Sequence, residues 1–171
     1  ILEVAGYEAD DVVGTLAKKA EKRGILTYMM TPDKDYGQLV SENTFIYRPK
    51  YGDKEFEIMG TERVKEKFGI ERTEQIIDLL GLMGDSSDNI PGCPGVGEKT
   101  AQKLIQQFGS IENMLEHTNE IKGALRIKVE ENREKIIFSK FLATIKTDVP
   151  IELNMEALKR EPANEEKLTQ L

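Results

Sequence analysis

Seven carboxylates in three short runs carry the chemistry this sequence could perform: Glu8, Asp10 and Asp11 in GYEADD, Asp33 and Asp35 in PDKD, and Asp85 and Asp88 in GDSSDNIPG. Asp85 and Asp88 stand three apart, ahead of Asn89 and Pro91, so their side chains can converge beside one turn and offer oxygen ligands to a hard cation. Farther on, Pro94-Gly95-Val96-Gly97 is a turn that can expose bare backbone N–H groups. Glu98-Lys99-Thr100-Ala101 then opens a helix with Ala101, Leu104, Ile105 and Phe108 at helical spacing. A helix N-terminus reached through glycines suits a phosphate. Carboxylates repel phosphate unless divalent cations lie between them, so the two devices together point to metal-dependent chemistry on a phosphodiester held beside its binding loop.

Three other readings of this stretch fit less well. A nucleotide P-loop requires G-x-x-x-x-G-K-[ST]; Gly92 to Gly97 supplies the first six positions, but Glu98 intrudes before Lys99-Thr100. A dinucleotide fingerprint needs a third glycine where Thr100 stands, preceded by a buried strand that Asp85, Asp88 and the prolines do not allow. An EF-hand loop needs acidic residues at alternate positions with glycine at the sixth, and neither DSSDNIPG nor DKDYGQ has them. An ordinary polar loop between helices is the plain alternative.

The elements that must position these groups follow from periodicity. Val12, Val13, Leu16 and Ala20 predict an amphipathic helix over 8–22, stopped by Gly24. Its acidic first turn also suits simple capping, although three acids in four positions exceed what one cap needs. Residues 25–30 read as a strand with Asp33 and Asp35 at its C-terminal end, where ligand-binding loops lie in helix-alternating sheets. A brief helix over 36–40, a strand over 44–47, a polar turn over 50–54 and a strand over 55–59 give a hairpin. Thr61 caps a helix to Phe68, and Gly69 ends it. Thr73 starts another, apolar through Ile76, Ile77, Leu79, Leu80 and Leu82, which delivers Asp85 and Asp88. After the helix over 97–107, Ser110 caps a short helix over 111–117. Residues 122–146 read as one long packing helix with an apolar row of Leu125, Val129, Ile136, Ile137, Phe141 and Leu142, and with Arg126, Lys128 and Arg133 on its solvated face. Residues 151–153 look extended, and 162–165 cap a last helix.

The 171 residues suffice for one substantial core or two small lobes, with 39% hydrophobic and 32% charged residues. No apolar run is long enough to span a bilayer, and the start, ILEVAGYEADD, has neither initiator Met nor signal n-region, so the sequence reads as an excised piece. The single Cys93 fits a reducing compartment, and the one His117 lies in another segment, so neither is read as catalytic. A net charge of −7 argues against nonspecific coating of nucleic acid but is compatible with a nuclease whose acids gather at metals.

Taken in order, GYEADD, the strand-end DKD, GDSSDNIPG and PGVGEKTA closely resemble the 5′-to-3′ exonuclease domain of bacterial DNA polymerase I, in the flap endonuclease superfamily. The resemblance covers essentially the whole chain. It implies two divalent ions, magnesium or manganese, cleavage of 5′ ends and flaps, and a helix-hairpin-helix that grips duplex backbone with a potassium ion. Carried over by position, Asp10, Asp11 and Asp33 match the positions nearest the first metal, with Glu8 and Asp35 beside them, and Asp85 and Asp88 match the pair of the second. Asp10, Asp11, Asp33 and Asp85 are the expected catalytic set. Gly92 to Gly97, with Gly95, Val96 and Gly97 at its turn, followed by Lys99 and Thr100, matches the DNA-binding hairpin; Lys34, Lys99 and Lys103 are the basic candidates for holding substrate, each with a solvated surface as its alternative. Pro32 replaces the glycine common before this DKD, which stiffens the loop without removing a ligand.

The family's nuclease begins with a strand carrying another metal-binding Asp, and then a helical arch with basic and aromatic residues; neither stands before Ile1. The similarity is to the C-terminal two-thirds of the nuclease domain, and impaired activity is expected. The implied chemistry is two-metal hydrolysis, one ion activating water and the other stabilising the leaving 3′ oxygen, about 3.5–4 Å apart. Competing readings are a noncatalytic DNA-binding module and a structural piece of a polymerase used for docking. The expected fold is α/β: a partial, mostly parallel sheet flanked by helices over 1–80, then an all-helical part with the helix-hairpin-helix over 81–171. An exposed sheet edge is expected where the front strand is missing. The family further implies DNA as partner, polymerase domains in the parent chain, no membrane, and a bacterial cytoplasmic location.

Overall fold

The structure, a computed structural model, describes residues 1–49, 55–160 and 162. The polar turn over 50–54 and the helix beginning at 162–165 lie outside the described residues. Helix α1 (Ala9–Glu21) ends before Gly24, whose φ of +67° suits a residue without a Cβ. Strand β1 (Thr27–Met30) pairs parallel with β2 (Thr44–Pro49), and β3 (Phe56–Met59) pairs antiparallel with β2. The sheet order is β1-β2-β3, so one of its two pairings is parallel. Met29, Ile46 and Met59 point to the same buried face. On the other face Tyr28 stacks on Phe45 and Tyr47 on Phe56, with ring centroids 5.6 and 4.6 Å apart. Among the described residues β1 has no strand partner on its outer side, so that edge of the sheet is open, while Tyr28 and Met30 are exposed on the face opposite Met29.

The remaining helices are α2 (Thr61–Phe68), α3 (Gln75–Met83), α4 (Glu98–Phe108), α5 (Ile111–Glu116), α6 (Ala124–Glu131) and α7 (Arg133–Ala143). The two expected caps differ. Gly60, not Thr61, occupies the N-cap of α2, whereas Ser110 caps α5 as its position predicts, its hydroxyl accepting the Asn113 amide at 3.3 Å.

Helix α3 is the centre of the helical part. Ile76, Leu79, Leu80 and Leu82 are fully buried against α4, α5 and α7. Gly81 allows α7 to approach: a Cβ there would lie 3.0 Å from the Lys140 Cα and 2.9 Å from the Ile111 Cδ1. Beside it, Asp78 is buried and accepts from the Ile111 amide at 3.0 Å and from Lys140 Nζ at 2.6 Å. Lys140 also reaches Glu112 at 2.8 Å, so one cation ties α3, α5 and α7 together.

The single long helix expected over 122–146 is two. Asn132 leaves the helical region at φ −109°, ψ 19°, and its side-chain amide bonds the Lys128 carbonyl at 2.9 Å, competing with the backbone bonds that would have continued the helix. The break changes which residues face inward. Val129, Ile136, Ser139 and Ala143 are buried, while Ile137, Phe138, Phe141 and Leu142 are exposed. The apolar row through Ile137, Phe141 and Leu142 is therefore an outer face. Beyond α7 the chain runs back along α1, where Thr15 accepts the Val149 amide at 3.1 Å and Lys19 bonds the Ile151 carbonyl.

Candidate metal centre

Three local devices bring the carboxylates together. The first is the start of α1, where Glu8 is the N-cap and the Glu8 amide donates to Asp11 Oδ2 at 3.3 Å in a capping box. The capping alternative is thus realised for Glu8 and Asp11, and Asp11 Oδ1 also accepts the Lys146 amide at 2.8 Å. Asp10 is turned to Tyr36, whose hydroxyl donates to Asp10 Oδ1 at 2.8 Å. Burial, and then the bond to Asp10, push the Tyr36 phenol well above its ordinary pKa and keep it a donor.

The second device follows β1. Thr31 accepts the Asp33 amide at 3.1 Å and Asp33 Oδ1 accepts the Asp35 amide at 2.9 Å, so the DKD loop is wound by its own side chains before a 3₁₀ turn over Asp35–Leu39. The third is the loop after α3. Asp85 and Ile90 exchange both backbone hydrogen bonds, at 2.9 and 2.8 Å, closing a loop that carries Asp88 at its tip. Its neck is two glycines pressed together: a Cβ on Gly92 (φ +61°) would lie 2.4 Å from the Gly84 nitrogen. Ser139 of α7 accepts the Gly92 amide at 2.9 Å and so fixes the exit from the loop.

A cleft of about 290 Å³ results, lined by Glu8, Asp10, Asp11, Asp33, Asp35 and Asp88 together with Leu142 to Ile145. One carboxylate oxygen each from Asp35, Asp85 and Asp88 lies within 4.8 Å of the others. All seven acids singled out by spacing therefore meet at one place. The Asp35 side chain is only 13% exposed, and its Oδ1 is buried without a hydrogen-bond donor. Burial, and then the charge of Asp33, raise its pKa to about 6. A buried acceptor without a hydrogen-bond donor, set among Asp33, Asp85 and Asp88 with Lys34 the one cation beside it in the described residues, is the electrostatic shape of a cation site, and an all-oxygen donor set fits a hard divalent ion.

Lys34 differs from expectation. Its ammonium bonds Asp85 and lies 3.9 Å from Asp35 Oδ1, so it is turned into the acidic cluster rather than left open to a ligand. The reason is charge: Asp85 is nearly buried, and the Lys34 contact foremost holds its carboxyl below the usual range. Burial alone would lower the Lys34 pKa, but the bond to Asp85 and the neighbouring carboxylates outweigh it and raise it.

The hairpin residues separate by exposure. Gly95, Gly97 and Lys99 are exposed, whereas Val96 is buried and anchors the turn. Gly97 is the N-cap of α4, so the next amides have no carbonyl ahead of them within the helix. Thr100 and Lys103 lie one turn on and line a groove of about 440 Å³ against Glu120 to Leu125. Spacing does not indicate Tyr36, Ser139, the Leu142–Ile145 wall, or Lys128, whose ammonium lies over Gly95. Ser139, the Leu142–Ile145 wall and Lys128 come from distant segments, and Tyr36, although it follows Asp35 directly, is tied to the site only through Asp10.

Two family models match the sequence: a 5′-3′ exonuclease N-terminal resolvase-like domain over residues 1–69 and a 5′-3′ exonuclease C-terminal SAM fold over residues 71–166. The chain is 49% identical over 97% of its length to DNA polymerase I of Bacillus subtilis, and 45% identical over 99% to that of Bacillus caldotenax. It spans 19% of the length of each of these relatives. Among solved structures it is similar to the bacteriophage T5 5′-exonuclease with bound zinc ions, at TM-score 0.74 and 21% identity over 85% of this chain and 53% of that one. A T5 flap endonuclease complex with DNA and metal ions matches at TM-score 0.74 and 20% identity, over 85% of this chain and 53% of that one. These likenesses fix the fold: an α/β part with a small sheet, followed by a helical SAM-like part. Among the described residues no helix is long and apolar enough to cross a membrane. With both family models matched in order across nearly all of its residues, the chain belongs to the 5′-3′ exonuclease family.

Proposed function

We propose that the chain is the metal-dependent nuclease region of a DNA polymerase I-type protein and hydrolyses DNA phosphodiesters at 5′ ends and 5′ flaps. The observation that carries this reading is the convergence of acids from three separated segments on a cleft where Asp35 Oδ1 is buried without a donor. Asp35, Asp85 and Asp88 would hold one cation directly or through water. Asp10, Asp11 and Asp33, with Glu8 beside them, would hold the other. Magnesium or manganese suits these ligands, since both accept carboxylate oxygens and retain water. When bound, such ions supply the Lewis acidity that lowers the pKa of an attacking water and offsets charge on the leaving 3′ oxygen.

The protein's own groups set the stage for that step. Tyr36 holds Asp10 in one orientation, and the Lys146 amide does the same for Asp11, so the α1 acids enter the cleft pre-aimed. Lys34 cancels part of the negative charge that would otherwise turn a phosphodiester away. Gly95, Gly97 and the first amides of α4 would bind a backbone phosphate, with Lys99, Thr100 and Lys103 beside it and a potassium ion as a further ligand of the hairpin. DNA with a 5′ end, nick or flap is the partner, and polymerase domains in the parent protein are part of the same reading.

The test is cleavage of a 5′-flap duplex with Mg²⁺ or Mn²⁺ and with EDTA, together with Mn²⁺ binding followed by electron paramagnetic resonance. Binding and cleavage that both require the divalent ion, and that Asp11→Asn or Asp85→Asn abolishes, support the reading. Cutting that survives those substitutions rejects the assigned site. For the hairpin, Gly95→Val should weaken binding of the same duplex about tenfold while leaving Mn²⁺ affinity unchanged, because the side chain obstructs phosphate at a position with φ +77°.

A further inference from the structure

Lys34 is paired differently from Lys18, Lys65 and Lys140. Lys18 and Lys65 meet glutamates three residues away at 3.0 and 2.8 Å, on the surface of their own helices. Lys140 joins Asp78 and Glu112, and Asp78 has the Ile111 amide as a second donor, so the buried acid of that network is satisfied. Lys34 instead bonds Asp85 and stands 3.9 Å from Asp35 Oδ1. Asp35 and Asp85 are two of the three acids whose oxygens come within 4.8 Å of one another. The ammonium therefore borders the same oxygens that a metal ion needs.

The contact is one-sided. At 3.9 Å the ammonium does not hydrogen-bond Asp35 Oδ1, which stays without a donor, and one positive charge among Asp33, Asp35, Asp85 and Asp88 leaves the cluster negative. The side chain is also free to leave. It is 40% exposed, its backbone is ordinary right-handed helical at φ −69°, ψ −26°, and the Lys34 carbonyl accepts the Gly37 amide at 3.0 Å. Rotation about the flexible stem can carry the ammonium into water while the DKD loop keeps its shape. A divalent ion brings two charges to oxygens that Lys34 serves with one. A monovalent ion brings only the charge already there and must still shed water to deliver it.

We propose that Lys34 is the resident cation of the metal centre and sets its ion specificity: a divalent ion binds by displacing the ammonium from Asp85, and a monovalent ion does not displace it. The proposal rests on the metal-dependent reading above and deepens it. Through the exchange Asp85, whose side chain is only 6% exposed, passes from one cation to another and is never left as a buried, unpaired charge. Removing the ammonium should accordingly have two effects of opposite sign. The fold loses the partner of Asp85, and the metal loses its competitor.

The experiment measures Mn²⁺ affinity by electron paramagnetic resonance, and thermal melting in EDTA, for the unaltered chain, Lys34→Met and Lys34→Arg. Lys34→Met keeps an unbranched stem and removes the charge. It should bind Mn²⁺ about tenfold more tightly, the effect of one charge roughly 5 Å from a divalent ion in a water-like surrounding, and should melt below the unaltered chain in EDTA. A lysine that served only the fold would lower both quantities. Lys34→Arg should return both toward the unaltered values. At equal ionic strength, sodium chloride should weaken Mn²⁺ binding by Lys34→Met more than tetramethylammonium chloride does, while the two salts act alike on the unaltered chain. A further readout uses the unaltered chain itself: the Lys34 ammonium signal in nuclear magnetic resonance, assigned by its loss in Lys34→Arg, should broaden by exchange with water as Mg²⁺ is added. Mn²⁺ affinity that is unchanged or weaker in Lys34→Met overturns the proposal, as does a Lys34 signal that persists at saturating Mg²⁺ or sodium that competes equally in both chains. Absence of divalent-ion binding by the unaltered chain overturns both this proposal and the metal-dependent reading beneath it.

Discussion

Asp35→Asn is expected to weaken Mn²⁺ binding by at least about 100-fold while making the metal-free protein more stable. The first effect follows from removing a charged ligand from the oxygen cluster of Asp35, Asp85 and Asp88; loss of a partner that merely supports a ligand already costs about 10- to 100-fold. The second follows from the carboxylate's situation without an ion. With its pKa raised to about 6 against an ordinary 3.8, ionised Asp35 destabilises the fold by about 3 kcal/mol once fully charged. The sign is fixed by linkage. The folded protein holds this proton more tightly than the unfolded chain, so stability in EDTA should fall as pH rises from about 4 to about 6 and then level off. In the Asn variant that fall should be missing. Asp85→Asn provides the contrast: it too should lose Mn²⁺, but it strands the Lys34 ammonium and should lower stability rather than raise it. Urea melts at pH 5 and 7 with an Mn²⁺ titration distinguish the two, and an Asp35 variant that binds Mn²⁺ as before would remove Asp35 from the ligand set.

Gly92→Ala should cost about 3 kcal/mol or more and take the metal affinity with it. The new Cβ would stand 2.4 Å from the Gly84 nitrogen and 2.6 Å from the Met83 carbonyl carbon, in a backbone conformation of φ +61° that side chains avoid. Both neighbours are backbone, so no rotamer can move aside. The neck of the loop must open, and Asp85 and Asp88 move with it. A drop in melting temperature of roughly 6–12 °C is the corresponding reading for a chain of this size. Gly97→Ala is the control for stability: φ is −97° and nothing lies within 4 Å, so only the weaker capping of alanine counts, at most about 1 kcal/mol. If the two substitutions cost the same, the glycine neck is not what shapes the loop.

The parts of this molecule that can be read from sequence are those governed by neighbours in the chain. The end of helix α2 at Gly69, the Ser110 cap and the three acidic runs each depend on residues a few positions apart; the first two stand where their patterns place them, and the acidic runs sit at the starts and ends of the elements expected to carry them. The break at Asn132 is hidden because the hydrophobic spacing runs on through it; a side-chain amide competing for one carbonyl leaves no mark on periodicity. Lys34 misleads for a related reason. A lysine between two aspartates in a loop looks like an open cation, and only Asp85, fifty-one residues away, decides that it turns inward. Asp78 shows the same limit: mid-helix among leucines it gives no sign that Lys140 will cross to meet it.

Helix α7 inverts the usual guide to protein engineering. Its polar Ser139 and Lys140 are committed to Gly92 and Asp78, whereas Ile137 and Phe138 stand in solvent with their hydrocarbon uncovered. Charged replacements at these two greasy positions offer a route to better solubility at little thermodynamic expense. A designer guided by hydropathy alone would edit the serine and spare the phenylalanine, and would thereby loosen the exit of an acidic loop that the serine holds from another helix.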